Sequence, residues 1–380
     1  MGRNSKKLKV EVIEEEEESW SERKQKQIQE LAEKLIYASV SDDLDSQIQA
    51  ARDIRKLAKT SVRTRSCFAL AGVIKPLISM LNSCNIDARE ASLLAILNLA
   101  VRNERNKVNI VTSGAVSPLI ELLKDENDSL RELATAAILT LSASPLNKQT
   151  IAASGAAPLL VRILNSGSVQ GKVDAVTALY NLSTSPEDLT PIISAGAIPP
   201  LLSLLNECKK YSKFAEKTSG LLEILSNFEE ALSAISDYEG GILILVETVE
   251  GGSLISSENA VGVLLALCRS SRDKYRKLIL GEGAIPGLLQ LTVEGSPKAQ
   301  EMARELLDFL RDSPEKRLLP KDVLESIVYD IASRVDGADK KGNEAAKRLL
   351  EDMVHRSMEI SMNRLQLRAA SCTPSEVPNM

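Results

Sequence analysis

Residues 195–205 read AGAIPPLLSLL. A glycine, two adjacent prolines and four leucines in so short a span mark a helix start. The phrase returns as AGVIKPLISML (71–81), SGAVSPLIELL (113–123), SGAAPLLVRIL (154–164), EGGILILVETV (239–249) and EGAIPGLLQLT (282–292). The leading glycines, Gly72, Gly114, Gly155, Gly196, Gly240 and Gly283, are spaced by 42, 41, 41, 44 and 43 residues. A sustained period of this length is the signature of a repeat array.

Each part of the phrase has a mechanical reason. Glycine ends the preceding helix because it alone enters the left-handed region without a Cβ penalty. Proline is tolerated in the first helical turn, where its missing N–H had no partner. Leu201, Leu202, Leu204 and Leu205 then form a broad apolar stripe, and Leu201→Ala is expected to cost about 2–5 kcal/mol.

A second phrase follows each first one: REASLLAILNLA (89–100), RELATAAILTLS (131–142), KVDAVTALYNLS (172–183), EKTSGLLEILS (216–226), ENAVGVLLALC (258–268) and QEMARELLDFLR (300–311). It predicts a longer helix, with small residues such as Ala91 and Ala134 where neighbours approach closely. A short helix, as in KQTIAASG (148–155), leads to the next glycine. Each unit is then three helices with a two-sided apolar surface that adjacent units must cover.

Composition agrees with helices. Of the 380 residues 44% are apolar but only 3% aromatic, so Leu, Ile, Val and Ala must supply the core. The net charge of −5 shows neither the basic face nor the stacking aromatics of a nucleic-acid binder. Five scattered cysteines, Cys67, Cys84, Cys208, Cys268 and Cys372, include no CxxC pair. That argues for a reducing compartment and against a zinc site or disulfide framework. No apolar run has the length of a membrane span, and the N-terminus lacks a signal-peptide core. MGRNSK misses the myristoylation pattern, with Ser5 and Lys6 out of place. The chain is expected in the cytoplasm, the nucleus or both, with Lys6–Lys9 as a short basic cluster.

The short helix, the GAIPPL helix and the asparagine-bearing third helix, as in AILNLA (95–100) and ALYNLS (178–183), resemble the armadillo repeat. HEAT repeats share the period but lack the glycine–proline phrasing. The resemblance covers residues 60–312 as six copies, and RDIRKLAKT (52–60) resembles the last helix of a partial earlier copy. It implies an all-α, right-handed superhelical solenoid with helical caps. The repeat phrasing and the stretch AAKRLLEDMV…SME…RAASCTPS (345–375) also resemble the plant armadillo proteins related to the U-box ubiquitin ligases. No stretch matches the C-P-I-type opening of a U-box, so the resemblance is to the substrate-binding half.

The ends read differently. Residues 1–20, with Glu14–Glu18, have the composition of a disordered charged arm. An arm that competes for the groove is an alternative role. Residues 21–59 are expected to form N-terminal capping helices and the partial repeat, with Ile28, Leu31, Ala32 and Leu35 on one stripe. Residues 313–368 are expected to form further helices, and 369–380 a disordered tail. Leu324, Ile327, Ile331 and Val335 share one face, as do Leu350, Val354, Met358 and Met362. The methionine-bearing helix reads either as a cap on the last repeat or as an adaptable partner-docking helix.

The search for chemistry finds no catalytic set. His355 is the one histidine and has no nucleophile motif beside it. GEGAIPG (281–287) has Pro286 where a dinucleotide loop needs glycine, and GSVQGKV (167–173) has Val173 where a phosphate loop needs Ser or Thr. Cys67 and Cys268 read as small core hydrophobes. The chain is expected to be no enzyme and to hold no cofactor or metal.

The resemblance implies that third helices line a concave groove in which asparagines hold an extended peptide backbone. The matching positions are Lys56, Asn98, Thr140, Asn181, Ile224, Ala266 and Phe309, and one turn earlier Arg52, Leu94, Ala136, Thr177, Gly220 and Gly262. Only Asn98 and Asn181 keep the asparagine, and both also fit helix-end hydrogen bonds within the repeat. Importin-α-type receptors carry lysine-clamping tryptophans at the earlier row, and here none is present, which disfavours a nuclear transport receptor. The candidate binding residues are Arg52, Lys56, Asn98, Thr140, Thr177, Asn181, Lys217 and Asn259. They point to a protein-binding scaffold for extended, acidic or phosphorylated segments. The alternative is an accessory that presents substrates in a ubiquitin-ligase pathway.

Overall fold

All six phrase glycines adopt positive φ, between 72° and 92°. In the computed structural model, which describes residues 22–183 and 186–311, each stands where one helix ends and the next begins. The array is all-α, with no strand among the described residues.

Helix α1 (22–40) precedes α2 (Leu44–Ala58). Four triplets follow in chain order: α3 (Val62–Leu70), α4 (Ile74–Met80), α5 (Ile86–Ala100); α6 (Glu104–Thr112), α7 (Val116–Leu123), α8 (Asp128–Ser142); α9 (Lys148–Ala152), α10 (Ala156–Ser166), α11 (Val169–Leu182); α12 (Pro186–Ser194), α13 (Ile198–Glu207), α14 (Lys213–Leu225). Two more complete the array: α15 (Glu229–Asp237), α16 (Gly241–Gly251), α17 (Leu254–Ser270); α18 (Arg272–Gly281), α19 (Ile285–Glu294), α20 (Pro297–Leu310). The KQTIAASG helix is shorter than its counterparts and is entered through a 3₁₀ turn, Pro145–Asn147.

Every third helix starts on its own side-chain cap. Asp43, Asn85, Asn127, Ser168, Ser212, Ser253 and Ser296 each accept a hydrogen bond from the backbone N–H three residues on. Such a cap contributes about 1 kcal/mol. It also fixes the phase of the long helix, and with it which residues face outward.

The chain divides into two compact units, with the boundary between Leu201 and Leu202 inside α13. In the first, α5 packs between α2 and α8, and α8 between α5 and α11. In the second, α17 packs between α14 and α20, while α16 packs on α17 and α19 on α20. The core is almost wholly aliphatic: Leu201, Leu202 and Leu205 are fully buried, and Leu204 nearly so. In α1 the buried stripe is Ile28, Ala32, Leu35 and Ala38, with Leu31 at its margin.

Cys268 is buried as expected, but Cys67 is not. It lines a cavity of about 100 Å³ with Ile28, Thr64 and Arg63. The core position on α3 is taken by its neighbour Phe68, which is fully buried. Residues 1–21 and 312–380, with the charged arm, His355 and the methionine-bearing segment, lie outside the described residues.

Candidate functional site

In the first unit the third helices place two rows of residues side by side. One row is Arg52, Leu94, Ala136 and Thr177; the other, one turn on, is Lys56, Asn98, Thr140 and Asn181. Arg52 and Lys56 are exposed, and the other six are half-buried.

The polar members are held in fixed orientations. Asn98 Nδ2 donates to the Leu94 carbonyl at 2.8 Å. Thr140 Oγ1 donates to Ala136 O at 2.8 Å, and Thr177 Oγ1 to Val173 O at 2.9 Å. Asn181 Nδ2 donates at 3.3 Å to Ser142 Oγ, which itself donates to Leu139 O. A carbonyl cannot donate, so each hydroxyl proton and one amide proton of each asparagine turn inward. The oxygens, and the second N–H of Asn98 and of Asn181, remain for a ligand. An extended backbone needs an acceptor and a donor of this kind.

Charge is uneven along this face. Lys56 Nζ pairs with Asp53 at 3.0 Å. Burial opposes ionisation of Asp53, but hydrogen bonds from Gln49 and Lys56 outweigh it and hold the carboxyl below its ordinary range. Farther along, burial pushes the Asp174 carboxyl up; a hydrogen bond from Gln170 opposes this and the Glu132 charge adds to it.

The second unit is arranged differently. Lys217 is half-exposed beside Glu216, which Lys213 and then Ser253 hold ionised. Sequence reading assigns Asn259 to the face, but the side chain is 8% exposed. Its Nδ2 donates to Glu216 O at 3.2 Å and Ser219 Oγ at 3.1 Å, tying α17 to α14. Ser219 is a small buried residue that lets the amide reach the backbone, so Asn259 is spent on packing. Gly220 is buried as well. The face carries instead a mixed charge cluster that the repeat phrases do not reveal. Lys298 Nζ lies 3.1 Å from Glu223 and 3.4 Å from Glu258, which belong to two different helices. Partial burial works against the Lys298 charge, but the two carboxylates hold its pKa above the ordinary lysine range.

Among the described residues no group of His, Cys, Asp or Glu is arranged to hold a metal ion. No described helix is long and apolar enough to cross a membrane.

Residues 103–143 match the family model of the armadillo/β-catenin-like repeat, on the triplet that carries Thr140. The repeats are armadillo repeats. Residues 160–328 match the armadillo repeat region of plant U-box proteins. A curated relative, U-box domain-containing protein 25 of Arabidopsis thaliana, is 31% identical over 99 residues, or 26% of this chain and 23% of the relative. The chain therefore spans less than a quarter of that relative's length. Among solved structures, an engineered protein is similar at 23% identity, with 83% of this chain and 77% of the other covered and a TM-score of 0.62. A computationally designed armadillo repeat protein for modular peptide recognition is 22% identical, with 75% and 100% covered and a TM-score of 0.46.

Proposed function

We propose that this armadillo array is a non-catalytic protein-binding scaffold, and that the third-helix face of the first unit takes an extended partner segment. The observation that carries this reading is the Asn98–Thr140–Asn181 row. Three half-buried polar side chains stand at one phase on successive helices, with their inward bonds fixed and their remaining capacity turned outward. Arg52 is exposed at one end and has no ion-pair partner among the described residues, so an acidic or phosphorylated residue of the segment is placed there. The four described cysteines are all free, which supports a cytoplasmic or nuclear setting.

The test is selection of peptides from a displayed library on the immobilised full chain, followed by affinity measurement with Asn98→Ala plus Asn181→Ala. Loss of about one net hydrogen bond at each of the two sites predicts roughly a thirtyfold weaker complex with an unchanged melting temperature. Unchanged affinity, or a fall in affinity matched by a fall in melting temperature, would assign both asparagines to the repeat itself.

A second reading, favoured by the match of residues 160–328 to the plant U-box armadillo region, is an accessory that presents substrates to a ubiquitin ligase. Reconstituted ubiquitination of a protein fused to a selected peptide checks it. Stimulation by the chain supports this reading, and none leaves the scaffold reading alone.

A further inference from the structure

We propose that residues 320–337 lie along α19 and cover the apolar edge of the last described repeat. The residue six positions after each phrase glycine shows why such a cover is needed. In five repeats it is buried: Ile78 and Ile120 are 8% exposed, Val161 1%, Leu202 0% and Val246 2%. In the sixth, Leu289 is 38% exposed, and Val293, one turn on, is 76% exposed.

The covering element elsewhere in the second unit is the second helix of the next repeat. A Cβ built on Gly241 of α16 would lie 3.5 Å from Leu202, and one on Gly287 of α19 would lie 3.3 Å from Val249. Helix α19 has no such neighbour among the described residues.

The third-helix edge of this repeat needs no cover. In α17 the positions eight and twelve after the cap are Val261 and Leu265, both buried. In α20 the same positions are Arg304 and Asp308, both exposed. A charged outer edge is what a terminal repeat requires. The uncovered apolar strip is therefore one helix wide and runs along α19 only.

Residues 320–337 fit that strip in pattern, reach and position. Leu324, Ile327, Ile331 and Val335 recur at the spacing of a single helical face. The eight intervening residues, 312–319, can span about 26 Å, whereas α19 is only about 15 Å long. The match to the plant U-box armadillo region continues to residue 328, beyond α20 and into this stretch.

The test uses the full chain carrying Val293→Cys, with and without Ile327→Asp plus Ile331→Asp, under timed maleimide labelling read by peptide mass spectrometry. Residue 293 is expected to label at least tenfold faster when the two isoleucines are charged, while Cys268 stays unlabelled and so reports an intact fold. Equal rates would overturn the proposal. So would a chain that is dimeric by light scattering and becomes monomeric with Val293→Asp, since the cover would then be a second copy. If the doubly charged chain labels at Cys268, Leu324→Ala is used in its place, with faster labelling at 293 again expected and an unchanged rate overturning the assignment.

Discussion

Asn147 Nδ2 donates at 3.1 Å to the carbonyl of Lys107, so a buried amide in one repeat closes the backbone of the repeat before it. The same nitrogen donates to Leu141 O at 3.1 Å. One period earlier, Asn106 Nδ2 donates to Arg65 O at 3.0 Å and Leu99 O at 2.9 Å. These asparagines and Asn98 differ in what their loss uncovers. Asn147→Ala removes two buried amide bonds, one of them to the preceding repeat, at a site that is 1% exposed and is expected to cost about 1–3 kcal/mol. Asn98→Ala releases only a carbonyl already bonded within its own helix, and its effect is expected to stay within about 0.5 kcal/mol. Urea denaturation of the two variants checks the contrast.

The glycines of the array divide by backbone conformation. Gly155 has φ of +80° and nothing within 4 Å of a built Cβ, so Gly155→Ala is expected to cost about 1–2 kcal/mol through the backbone alone. Gly155→Asn should lose less, because asparagine tolerates the left-handed region. Gly171, inside α11, has an ordinary φ, and the nearest atom to its Cβ position is Ser168 Oγ at 3.4 Å. Gly171→Ala is expected to gain about 0.5–1 kcal/mol through helix propensity. Opposite shifts in melting temperature are the outcome to look for.

Asp174 sets a pH dependence with a definite sign. Burial, and secondarily the Glu132 charge, raise its pKa in the folded chain. The folded state then holds the proton more tightly than the unfolded state, so this residue favours folding most below its unfolded pKa. That contribution is lost as pH rises through the folded value. Asp174→Asn is therefore expected to be the more stable chain at pH 7. Its advantage should shrink as pH falls toward 4, as measured by denaturation midpoints across that range.

Burial pushes the Cys268 thiol up to about 11, whereas Cys84 is exposed. At pH 8 Ellman's reagent is expected to modify Cys84 within the first phase and to reach Cys268 only when the chain unfolds.

The joints were the most legible part of this sequence. Glycine and proline act through their own backbone chemistry, so Gly196 and Pro199 announce a helix start whatever surrounds them. The buried stripe of Leu201, Leu202 and Leu205 followed from periodicity for the same reason. The face was legible only in part. Asn98 and Asn259 are both polar candidates on third helices, yet one sits half-buried on the outer row and the other, nearer its helix start, bonds the backbone of the preceding third helix. That difference depends on Ser219, forty residues away in the neighbouring repeat, and no local pattern carries it. The Lys298–Glu223–Glu258 cluster was hidden likewise, since it joins three helices across two repeat lengths.

The seven side-chain caps have a consequence for how such a chain diversifies. Because each long helix is started by its own Asp, Asn or Ser, the residues nine and thirteen positions after Asp43, Asn85, Asn127 and Ser168 hold their place without help from one another. Drift at those outward sites changes the surface on offer and leaves the scaffold's assembly rules intact. A lineage that duplicates repeats of this kind can therefore explore new ligands one site at a time, with little risk of losing the fold between steps.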